Sequence, residues 1–297
     1  MITLYLFIAG NCKNIENIVH SILKIIEKGR IRMTDRKKVY LYYNDTKELA
    51  PKIDDLRKLG RKYEFELVTS FADADIIASI GGDGTFLQAI RKSGFREDCL
   101  YVGINAGRLG FYTDFTLDDL ERIELAMQTG IVEVHRYPTL DVSVDGIQHF
   151  QCVNECSIRS NIIKTFAIDV FIDDMHFETF RGDGMVVSTP TGSTAYNKSL
   201  RGAIVDPRIK GMQLTEIASL NSNEYRTLGS PLLMSGDRNL TLKIIQDGND
   251  HPIIGADNEA LSIRHCHEVQ VKVSDKEIKT LKLKDNSFFH KVKRSFL

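Results

Sequence analysis

Residues 78–88 read Ala-Ser-Ile-Gly-Gly-Asp-Gly-Thr-Phe-Leu-Gln. The apolar side chains of Ile76, Ile77 and Ile80 are typical of a buried strand, and residues 85–90 have the spacing of the first turns of a helix. The loop between them therefore joins the carboxyl end of a strand to the amino terminus of a helix. Backbone N–H groups and the helix dipole favour a phosphate at such a junction. The stretch predicts an α/β fold with an anion site.

The loop itself contains three glycines around a single aspartate. Gly81, Gly82 and Gly84 allow a ligand to approach the main chain closely, and together with Thr85 they are the predicted phosphate-binding residues. Asp83 would repel a phosphate. We therefore expect its carboxylate to hold a hydroxyl group or to accept the proton of that hydroxyl.

The composition limits the class of protein. A chain of 297 residues is long enough for two hydrophobic cores. A net charge of -1 provides no basic field, which argues against nucleic acid or an acidic membrane as partner. No apolar run approaches the roughly 20 residues of a membrane span, and the amino terminus lacks a basic leader. Five scattered cysteines do not form a disulfide framework, so we expect a soluble cytoplasmic protein.

Strand and helix patterns alternate up to about residue 130. Strands are predicted over 3–8, 39–43, 65–68, 74–80 and 100–104, and helices over 15–26, from Pro51, from Thr85 and from a capping-box-like start at Thr116. Such alternation favours a mostly parallel sheet covered on both faces. The sequence predicts a Rossmann-like α/β domain over residues 1–130.

After Gly130 strand patterns follow one another. They cover residues 140–144, 147–153, 167–172, 176–180, 240–245, 253–256, 269–273 and 278–283. Periodicity leaves 212–220 open between a short helix and a strand. These patterns predict an antiparallel, β-sandwich-like domain over residues 131–283, with a terminal helix in the tail, 284–297, packed on the first domain.

A second polar cluster extends from Phe180 to Tyr196. A short strand over 185–187 leads into Ser188-Thr-Pro-Thr-Gly-Ser-Thr-Ala-Tyr196. Hydroxyls, backbone amides and one aromatic ring suit the base and ribose of a nucleoside. An ordinary hydrophilic surface loop is the alternative interpretation.

Smaller signals accompany the two clusters. Asn154-Glu155 could bind an adenine edge or a ribose diol, or could form only a turn. Asp183 stands between two glycines, and Arg181 could meet a phosphate or form a surface salt bridge. Residues 105–110 form another glycine-bearing loop after a strand, on the side where open α/β sheets bind ligands.

Three familiar motifs are missing or incomplete. No Gly-x-Gly-x-x-Gly follows the first strand, which argues against an ordinary Rossmann dinucleotide site. The Gly-x-x-x-x-Gly-Lys-[Ser/Thr] loop of P-loop enzymes is also missing from the sequence. His265-Cys266-His267 lacks the partner pair that a structural zinc site needs, so an ordinary strand is favoured there.

Taken together, these residues resemble the NAD kinases. The shared motifs, in the order of that family, are residues 81–85, 103–111, 154–155, 182–184 and 188–196. The Gly-Gly-Asp-Gly core is also found in diacylglycerol and sphingosine lipid kinases and in phosphofructokinases. The Ser/Thr/Gly segment is what singles out the NAD kinases, and residues 180–184 and 195–198 are most similar to forms from Gram-positive bacteria.

The resemblance implies an activity and an architecture. It implies transfer of the γ-phosphate of ATP, or of polyphosphate in some members, to the 2′-hydroxyl of the adenosine ribose of NAD, giving NADP. A divalent ion such as Mg²⁺ is expected on the donor phosphates. The family also implies an amino-terminal α/β domain, a β-sandwich-like domain completed by the tail, and a homotetramer or homodimer.

The resemblance also assigns roles to individual residues. Asp83 would face the 2′-hydroxyl as proton acceptor, with Gly84 beside it on the phosphate side. The other implied NAD contacts are Asn154 and Glu155 at the adenosine, Thr194, Ala195 and Tyr196 around the adenine, Arg181 and Asp183 toward the nicotinamide half, and Asn197, Lys198, Ser199 and Ala218 at further contact positions.

Three positions depart from the pattern of the family: Arg201, Asp206 and Asn258. They put subunit contacts and the fine shape of the NAD pocket in doubt. Two other functions stay open from the residues alone. One is a diacylglycerol-type lipid kinase, which shares the aspartate loop, although the Ser/Thr/Gly segment argues against it. The other is a non-catalytic NAD-binding sensor, which would require loss of Asp83 or its glycines, and both are present.

Overall fold

A computed structural model describes residues 36–107, 110–129, 132–163, 165–223, 226–245, 252–263, 266–283 and 286–297. The strand predicted over 3–8 and the helix predicted over 15–26 lie outside the described residues.

The first part of the chain alternates strands and helices, as predicted. Its elements are β1 Lys38–Tyr43, α1 Ala50–Lys62, β2 Glu66–Leu67, β3 Ile76–Ile80, α2 Asp83–Lys92, β4 Leu100–Asn105, β5 Thr113–Thr116 and α3 Leu120–Thr129. Strands β1 to β5 pair in parallel in the order β2-β1-β3-β4-β5.

The start of α3 differs from the sequence prediction. Thr116 ends β5 instead of capping a helix, and Oδ1 of Asp119 accepts a hydrogen bond from the amide of Arg122 at 3.1 Å. A capping side chain of this kind satisfies an amide that has no partner within the helix. Asp119 is therefore the capping residue of α3, in the place of Thr116.

Strands dominate the rest of the chain. They are β6 Glu133–Val144, β7 Gln148–Cys152, β8 Glu155–Arg159, β9 Phe166–Ile172, β10 Met175–Gly182, β11 Gly184–Ser188, β12 Gly211–Ile217, β13 Leu232–Ser235, β14 Asn239–Ile244, β15 Ile253–Ala256, β16 Glu259–Ser262 and β17 Glu268–Lys282. The open question at 212–220 is settled as the strand β12. A short helix, α4, covers Tyr196–Ser199, and the predicted terminal helix, α5, covers Phe288–Phe296.

Two sheets organise the described residues. The smaller one has the order β13-β12-β11-β8-β15-β16 and is antiparallel. The larger one runs β10-β9-β14-β17-β4-β3-β1-β2, so the β-rich part and the parallel part share a single sheet. The junction is the parallel pairing of Thr280 in β17 with Tyr101 in β4.

The long strand β17 corrects another prediction. Residues 269–273 and 278–283 were expected as two strands, but they form one strand of 15 residues. The pairing with β6 shifts register between Val273 and Glu277, so the polar residues between them form an irregularity within a continuous strand.

The parallel pairing places two loops side by side. Ile80, the last residue of β3, pairs with Ile104 near the end of β4. The chain therefore leaves both strands at the same edge of the sheet. Residues 81–84 and the segment that leads to Tyr112 meet there.

Candidate active site

The Gly-Gly-Asp-Gly loop has the strand–loop–helix form that the sequence predicts. All five residues of β3 are buried, and α2 begins at Asp83 with Gly82 as its N-cap residue. The amide of Gly81 donates a hydrogen bond to the carbonyl of Ile104 at 2.9 Å, which fixes the loop against β4.

The glycines of this loop have different tasks. A β-carbon at Gly81 would collide with the side chain of Thr85, so only glycine fits there. Gly82 and Gly84 are exposed, and amides in the first turn of a helix have no intrahelical carbonyl to bind. The anion-binding capacity of the loop therefore belongs to the first turn of α2, since the amide of Gly81 is already bonded to Ile104.

The carboxylate of Asp83 is held by two backbone amides. The amide of Phe111 donates to Oδ2 at 2.8 Å, and the amide of Tyr112 donates to Oδ1 at 2.9 Å. Gly110 lies against the same carboxylate, because a β-carbon added there would overlap its atoms. The loop after β4 thus fixes the position of Asp83.

Tyr112 connects this carboxylate to Asn154, one of the smaller signals of the sequence. Its ring is buried and stacks on Phe86 of α2, with centroids 4.9 Å apart and an interplanar angle of 9°. Its hydroxyl donates a hydrogen bond to Oδ1 of Asn154. Burial raises the pKa of Tyr112 well above its ordinary value, so the hydroxyl keeps its proton and acts as a donor.

Asp257, which the sequence did not single out, holds the main chain at Asn154. Its carboxylate accepts hydrogen bonds from the amides of Val153, Asn154 and Glu155 at 3.1, 2.6 and 3.2 Å. Burial raises the pKa of Asp257, while these amides and Arg91, 3.6 Å away, oppose the rise. The signal in the sequence was only an Asp-Asn turn after a strand, which by itself is ordinary.

Glu155 is a buried carboxyl group. It is 7% exposed, and Oε2 has no hydrogen-bond partner within the described residues. Burial, followed by the charge of Asp257, raises the pKa of Glu155 to about 8, although the amide of Tyr196 lowers it in part. The group can therefore donate or accept a hydrogen bond near neutral pH.

The Ser/Thr/Gly segment is more internal than the sequence indicated. Thr189 donates to the carbonyl of Val153 at 2.7 Å, and Ser193 accepts from the amide of Val205 at 2.9 Å. Ser188, Thr189, Thr191 and Ser193 are all buried. The hydroxyls of Thr189, Thr191 and Ser193 bind the protein's own backbone and shape the turn, which composition alone did not indicate.

The segment nevertheless packs directly on the Asn154-Glu155 strand start. The amide of Thr189 donates to the carbonyl of Asn154 at 2.8 Å, and Gly192 is so close to the Asn154 backbone that a β-carbon would collide with it. Thr194, Ala195 and Tyr196 follow as partly exposed residues. Arg159 lies over the ring of Tyr196, 6.0 Å from its centroid.

The next residues have mixed environments. The side chain of Asn197 is completely buried and bonded to Ser193, Ala203 and Thr215, so it holds the fold of the segment together. Lys198 lies 4.2 Å from the ring centroid of Phe296 in α5, and Ser199 is exposed.

Arg181, Asp183 and Ala218 come together at the other end of the smaller sheet. The amide of Asp183 donates to the carbonyl of Ile217 at 2.9 Å, and the backbone carbonyl of Arg181 accepts from the amide of Leu220 at 2.8 Å. Asp183 and Ala218 are exposed.

The pairing of β8 and β11 gives the distance between the residues around Glu155 and the group formed by Arg181, Asp183 and Ala218. Glu155 pairs with Ser188, and Arg159 pairs with Gly184. The two groups therefore lie at opposite ends of these strands, about 13 Å apart at a rise of 3.3 Å per residue. A single ligand that touched both groups would have to extend over this length, as a dinucleotide can.

The departures from the family pattern lie in two environments. Asn258 is exposed beside the loop, with Nδ2 3.9 Å from the position of a β-carbon at Gly84. Arg201 adopts a positive φ of 63°, and Asp206 forms an ion pair with Arg208 at 2.7 Å. Only Asn258 therefore lies at the predicted phosphate loop.

Other kinds of site have little support in the described residues. Across the part of the chain that the structure describes, no group of three His, Cys, Asp or Glu residues is arranged to hold a metal ion. His265 lies outside the described residues. None of the described helices is long and apolar enough to cross a membrane. Cys99, Cys152, Cys156 and Cys266 are buried, and none of them forms a disulfide bond among the described residues.

Comparison with known proteins identifies the family. Residues 6–129 match the ATP-NAD kinase N-terminal domain, and residues 153–283 match the ATP-NAD kinase C-terminal domain. The chain belongs to the NAD kinase family, and the expectation of an NAD kinase is confirmed.

Similar proteins agree with this assignment. The chain is 57% identical over 265 residues to an NAD kinase 2 of Halalkalibacterium halodurans, covering 89% of this chain and 100% of that protein. It is 58% identical over 267 residues to an NAD kinase 2 of Bacillus subtilis strain 168, with the same coverage. The predicted likeness to bacterial forms of this type is confirmed.

Solved structures share the fold. The yeast NADH kinase complexed with NADH matches with a TM-score of 0.72 at 18% identity, covering 88% of this chain and 87% of that one. An NAD kinase from Archaeoglobus fulgidus in complex with ATP matches with a TM-score of 0.69 at 24% identity, covering 86% and 98%. The predicted fold class, an α/β part followed by a β-sandwich-like part, is confirmed.

Proposed function

We propose that this NAD kinase transfers the γ-phosphate of ATP to the 2′-hydroxyl of the adenosine ribose of NAD at the place where Asp83, Tyr112 and Asn154 meet. The observation that carries the proposal is Tyr112, whose amide binds Asp83 and whose hydroxyl binds Asn154. This residue joins the Gly-Gly-Asp-Gly loop to the predicted adenosine contacts, so that one ligand can touch both.

Asp83 is the proposed residue for the acceptor hydroxyl. Each carboxylate oxygen has about two lone-pair directions, so two amide hydrogen bonds leave room for a substrate hydroxyl. The 2′-oxygen forms a bond to the γ-phosphorus, the bond between that phosphorus and the β–γ bridging oxygen breaks, and ADP leaves. The proton of the hydroxyl passes to Asp83, whose fixed position also orients the hydroxyl for attack.

The first turn of α2 is the proposed donor side. The amides of Gly82 and Gly84, with Thr85, point the positive end of the helix at the phosphates. Gly81 supports this loop through Ile104, so its own amide is not part of the contact.

A divalent ion, Mg²⁺, fits this arrangement if the donor phosphates carry it. Mg²⁺ keeps several waters and needs only one or two protein carboxylates beside phosphate oxygens, which agrees with the lack of a three-ligand cluster among the described residues. When bound, it would neutralise charge on the transferring phosphate. Asp83 is the nearby carboxylate that could hold it.

The other predicted contacts divide between the two ends of the proposed site. Asn154, Glu155, Thr194, Ala195 and Tyr196 are the proposed adenosine contacts, and the unpartnered Oε2 of the buried Glu155 supports a hydrogen bond to a ribose hydroxyl. Lys198 and Ser199 would border this end, and Asn197 acts through the fold of the segment. Arg181, Asp183 and Ala218 are the proposed contacts of the nicotinamide half.

We propose a division into residues 1–130 and 131–283, with the tail 284–297 returning to the first unit. The two family matches, which fall within these limits, and the packing of α5 on Phe111 support it. A homotetramer or homodimer and a cytoplasmic location are part of the same proposal. The absence of a disulfide bond among the described cysteines supports a reducing compartment.

A panel of donors and acceptors tests the proposal. Purified protein is incubated with Mg²⁺, NAD or NADH, and either ATP or polyphosphate, and the products are measured with dehydrogenases specific for NADP or NADPH. ATP with NAD should give NADP in step with ADP. If no donor yields NADP, or if a lipid alcohol is phosphorylated instead, the proposal is wrong.

A further inference from the structure

A buried cluster of charges lies behind the loop that holds Asp83. Asp114 of β5, Lys282 at the end of β17 and Lys291 of α5 are only 5, 3 and 3% exposed. The Nζ atom of Lys291 lies 2.5 Å from Oδ1 of Asp114, and that of Lys282 lies 3.3 Å from Oδ2. Asn286 donates a further hydrogen bond to Oδ1 at 2.6 Å. Two cations thus share one carboxylate in the interior.

Both lysines also bind the main chain of the Asp83 loop. The Nζ atom of Lys291 donates to the carbonyl of Phe111 at 2.6 Å. The Nζ atom of Lys282 donates to the same carbonyl at 3.3 Å and to that of Tyr112 at 3.1 Å. The ring of Phe111 contacts Phe288 and Phe296 of α5, so the terminal helix holds both the side chain and the carbonyl of this residue.

One peptide group links the lysines to Asp83. The carbonyl of Phe111 and the N–H of Tyr112 belong to the same planar peptide unit. The lysines bind its oxygen, and Oδ1 of Asp83 accepts a hydrogen bond from its N–H. Hydrogen bonds on the two ends of one peptide strengthen each other, because a cation at the oxygen polarises the N–H. Moving the lysines would therefore move and weaken the support of Asp83.

We propose that Lys291, together with Lys282, is a positioning residue that fixes the Phe111–Tyr112 peptide and, through it, the carboxylate of Asp83. This inference rests on the proposed role of Asp83 in the transfer. According to this inference, the terminal helix α5 contributes to kcat through Lys291, in addition to packing on the first part of the chain.

The energetics of burial favour this role over simple stabilisation. Taking two ammonium groups out of water costs free energy that a single carboxylate compensates poorly, and apolar side chains of similar size often replace buried ion pairs without loss of stability. Burial, followed by the charge of Lys282, lowers the pKa of Lys291, which is the expected sign of an unfavourable environment for a cation. The cluster therefore stabilises the fold less than apolar side chains of similar size would, and its contacts with the Phe111 carbonyl favour a positioning role.

Substitution of Lys291 tests the proposal, with Lys293 of the same helix as control. Lys291→Met removes the charge and the donor but keeps an unbranched side chain only one atom shorter, and Lys293→Met makes the same change at an exposed position. In Lys291→Met, kcat for NADP formation should fall about tenfold to a hundredfold, the range that a small misplacement of a reacting group produces. KM for NAD should change by less than about twofold, because the substitution removes no proposed contact with bound NAD. Lys293→Met should match the wild type in both.

A double-mutant cycle separates positioning from a general structural effect. Asp83→Asn is combined with Lys291→Met, and the rate constant of phosphoryl transfer is measured in single-turnover experiments with radiolabelled ATP. If Lys291 acts through Asp83, the second substitution should reduce the rate of Asp83→Asn by less than about twofold. Full multiplication of the two effects, or an unchanged kcat in Lys291→Met alone, overturns the proposal.

The outcomes distinguish this proposal from the proposed function. If the wild type makes no NADP, the proposed function fails, and if Asp83→Asn keeps full activity, the role of Asp83 fails. If Asp83→Asn is impaired while Lys291→Met and Lys293→Met are alike, only the positioning role fails. Should Lys291→Met lack a cooperative melting transition, Lys291→Gln, which keeps a donor, replaces it. If neither variant folds, Lys291 serves stability and the proposal is overturned.

Discussion

Tyr112 donates its hydroxyl hydrogen to Oδ1 of Asn154, deep inside the molecule. The backbone amide of the same residue donates to Asp83 at 2.9 Å. One residue therefore bridges the loop after β3 and the start of β8. Asp83 and Asn154, which it connects, are 71 positions apart in the chain. The geometry of the proposed acceptor site depends on this bridge.

Tyr112→Phe should weaken NAD binding more than it slows transfer. The substitution removes the hydroxyl that orients Asn154 but keeps the amide that holds Asp83. Loss of one hydrogen bond of this kind costs about 1 kcal/mol, so KM for NAD should rise about threefold to tenfold. Steady-state kinetics with NAD as the varied substrate measure this change.

Tyr101→Phe is the matched control. The hydroxyl of Tyr101 also takes part in buried hydrogen bonds, with Ser93 at 2.7 Å and the amide of Arg96 at 3.1 Å, but it lies away from Asp83 and Asn154. This variant should melt at a lower temperature with KM unchanged. Equal values of KM in both variants would argue against the bridge.

Gly110→Ala should disable the proposed site although it replaces no functional side chain. A β-carbon at this position would overlap the carboxylate of Asp83, which must then leave its place between the two amides. A displaced catalytic group should reduce kcat more than about tenfold. Gly107→Ala is the control, because a β-carbon there meets nothing within 4 Å. Similar kcat values for the two alanine variants would contradict this account of the loop.

The buried carboxyl group of Glu155 should make stability depend on pH. Its pKa is raised from 4.5 to about 8, mainly by burial, so the folded protein binds more protons than the unfolded chain between these values. The contribution of this group to the free energy of unfolding is fully present below about pH 4.5 and is lost as the pH rises through about 8. Glu155→Gln cannot ionise and should escape this loss.

Thermal or urea unfolding between pH 5 and pH 8 measures the effect. We expect the free energy of unfolding of the wild type to decline by roughly 1–4 kcal/mol more than that of Glu155→Gln over this interval. Asp257, whose pKa is also raised, is present in both proteins and contributes equally. The exposed Glu66→Gln should follow the wild type, and parallel curves for wild type and Glu155→Gln would show that Glu155 is ionised throughout.

Local patterns were enough to predict the central loop. The apolar run before Gly81 predicted β3 and the helical spacing after Thr85 predicted α2, because burial and periodicity depend on residues close together in the sequence. The terminal helix α5 was predicted from the mixture of aromatic and basic side chains over residues 288–297. Periodicity left β12 open, because a short apolar run fits a helix or a strand equally well.

Contacts between distant residues could not be read in this way. Asp257 binds the amides of residues 153–155, more than one hundred positions earlier in the chain, and nothing in its own neighbourhood indicates that partner. The hydroxyls of Thr189 and Ser193 had the composition of a ligand-binding loop, but the fold turns them toward its own carbonyls and amides. Only tertiary packing decides between these two uses of a hydroxyl.

The long strand β17 was missed for a related reason. Polar residues between Val273 and Glu277 are typical of a turn, yet the strand continues because β6 pairs with it on both sides of the irregularity. The same strand carries Lys282 to the back of the Asp83 loop. The connection between the β-rich part and the active site was therefore invisible at the level of local pattern.

The measurement that tests the central claim most directly is the turnover of Asp83→Asn beside its binding of NAD. Asparagine cannot accept the proton and leaves one of the two loop amides without its acceptor. We expect kcat for NADP formation to fall about 10²-fold to 10⁴-fold, while calorimetry gives a Kd for NAD within about threefold of the wild type. The exposed Asp73→Asn should be fully active. An Asp83→Asn protein that formed NADP at the wild-type rate would contradict the account.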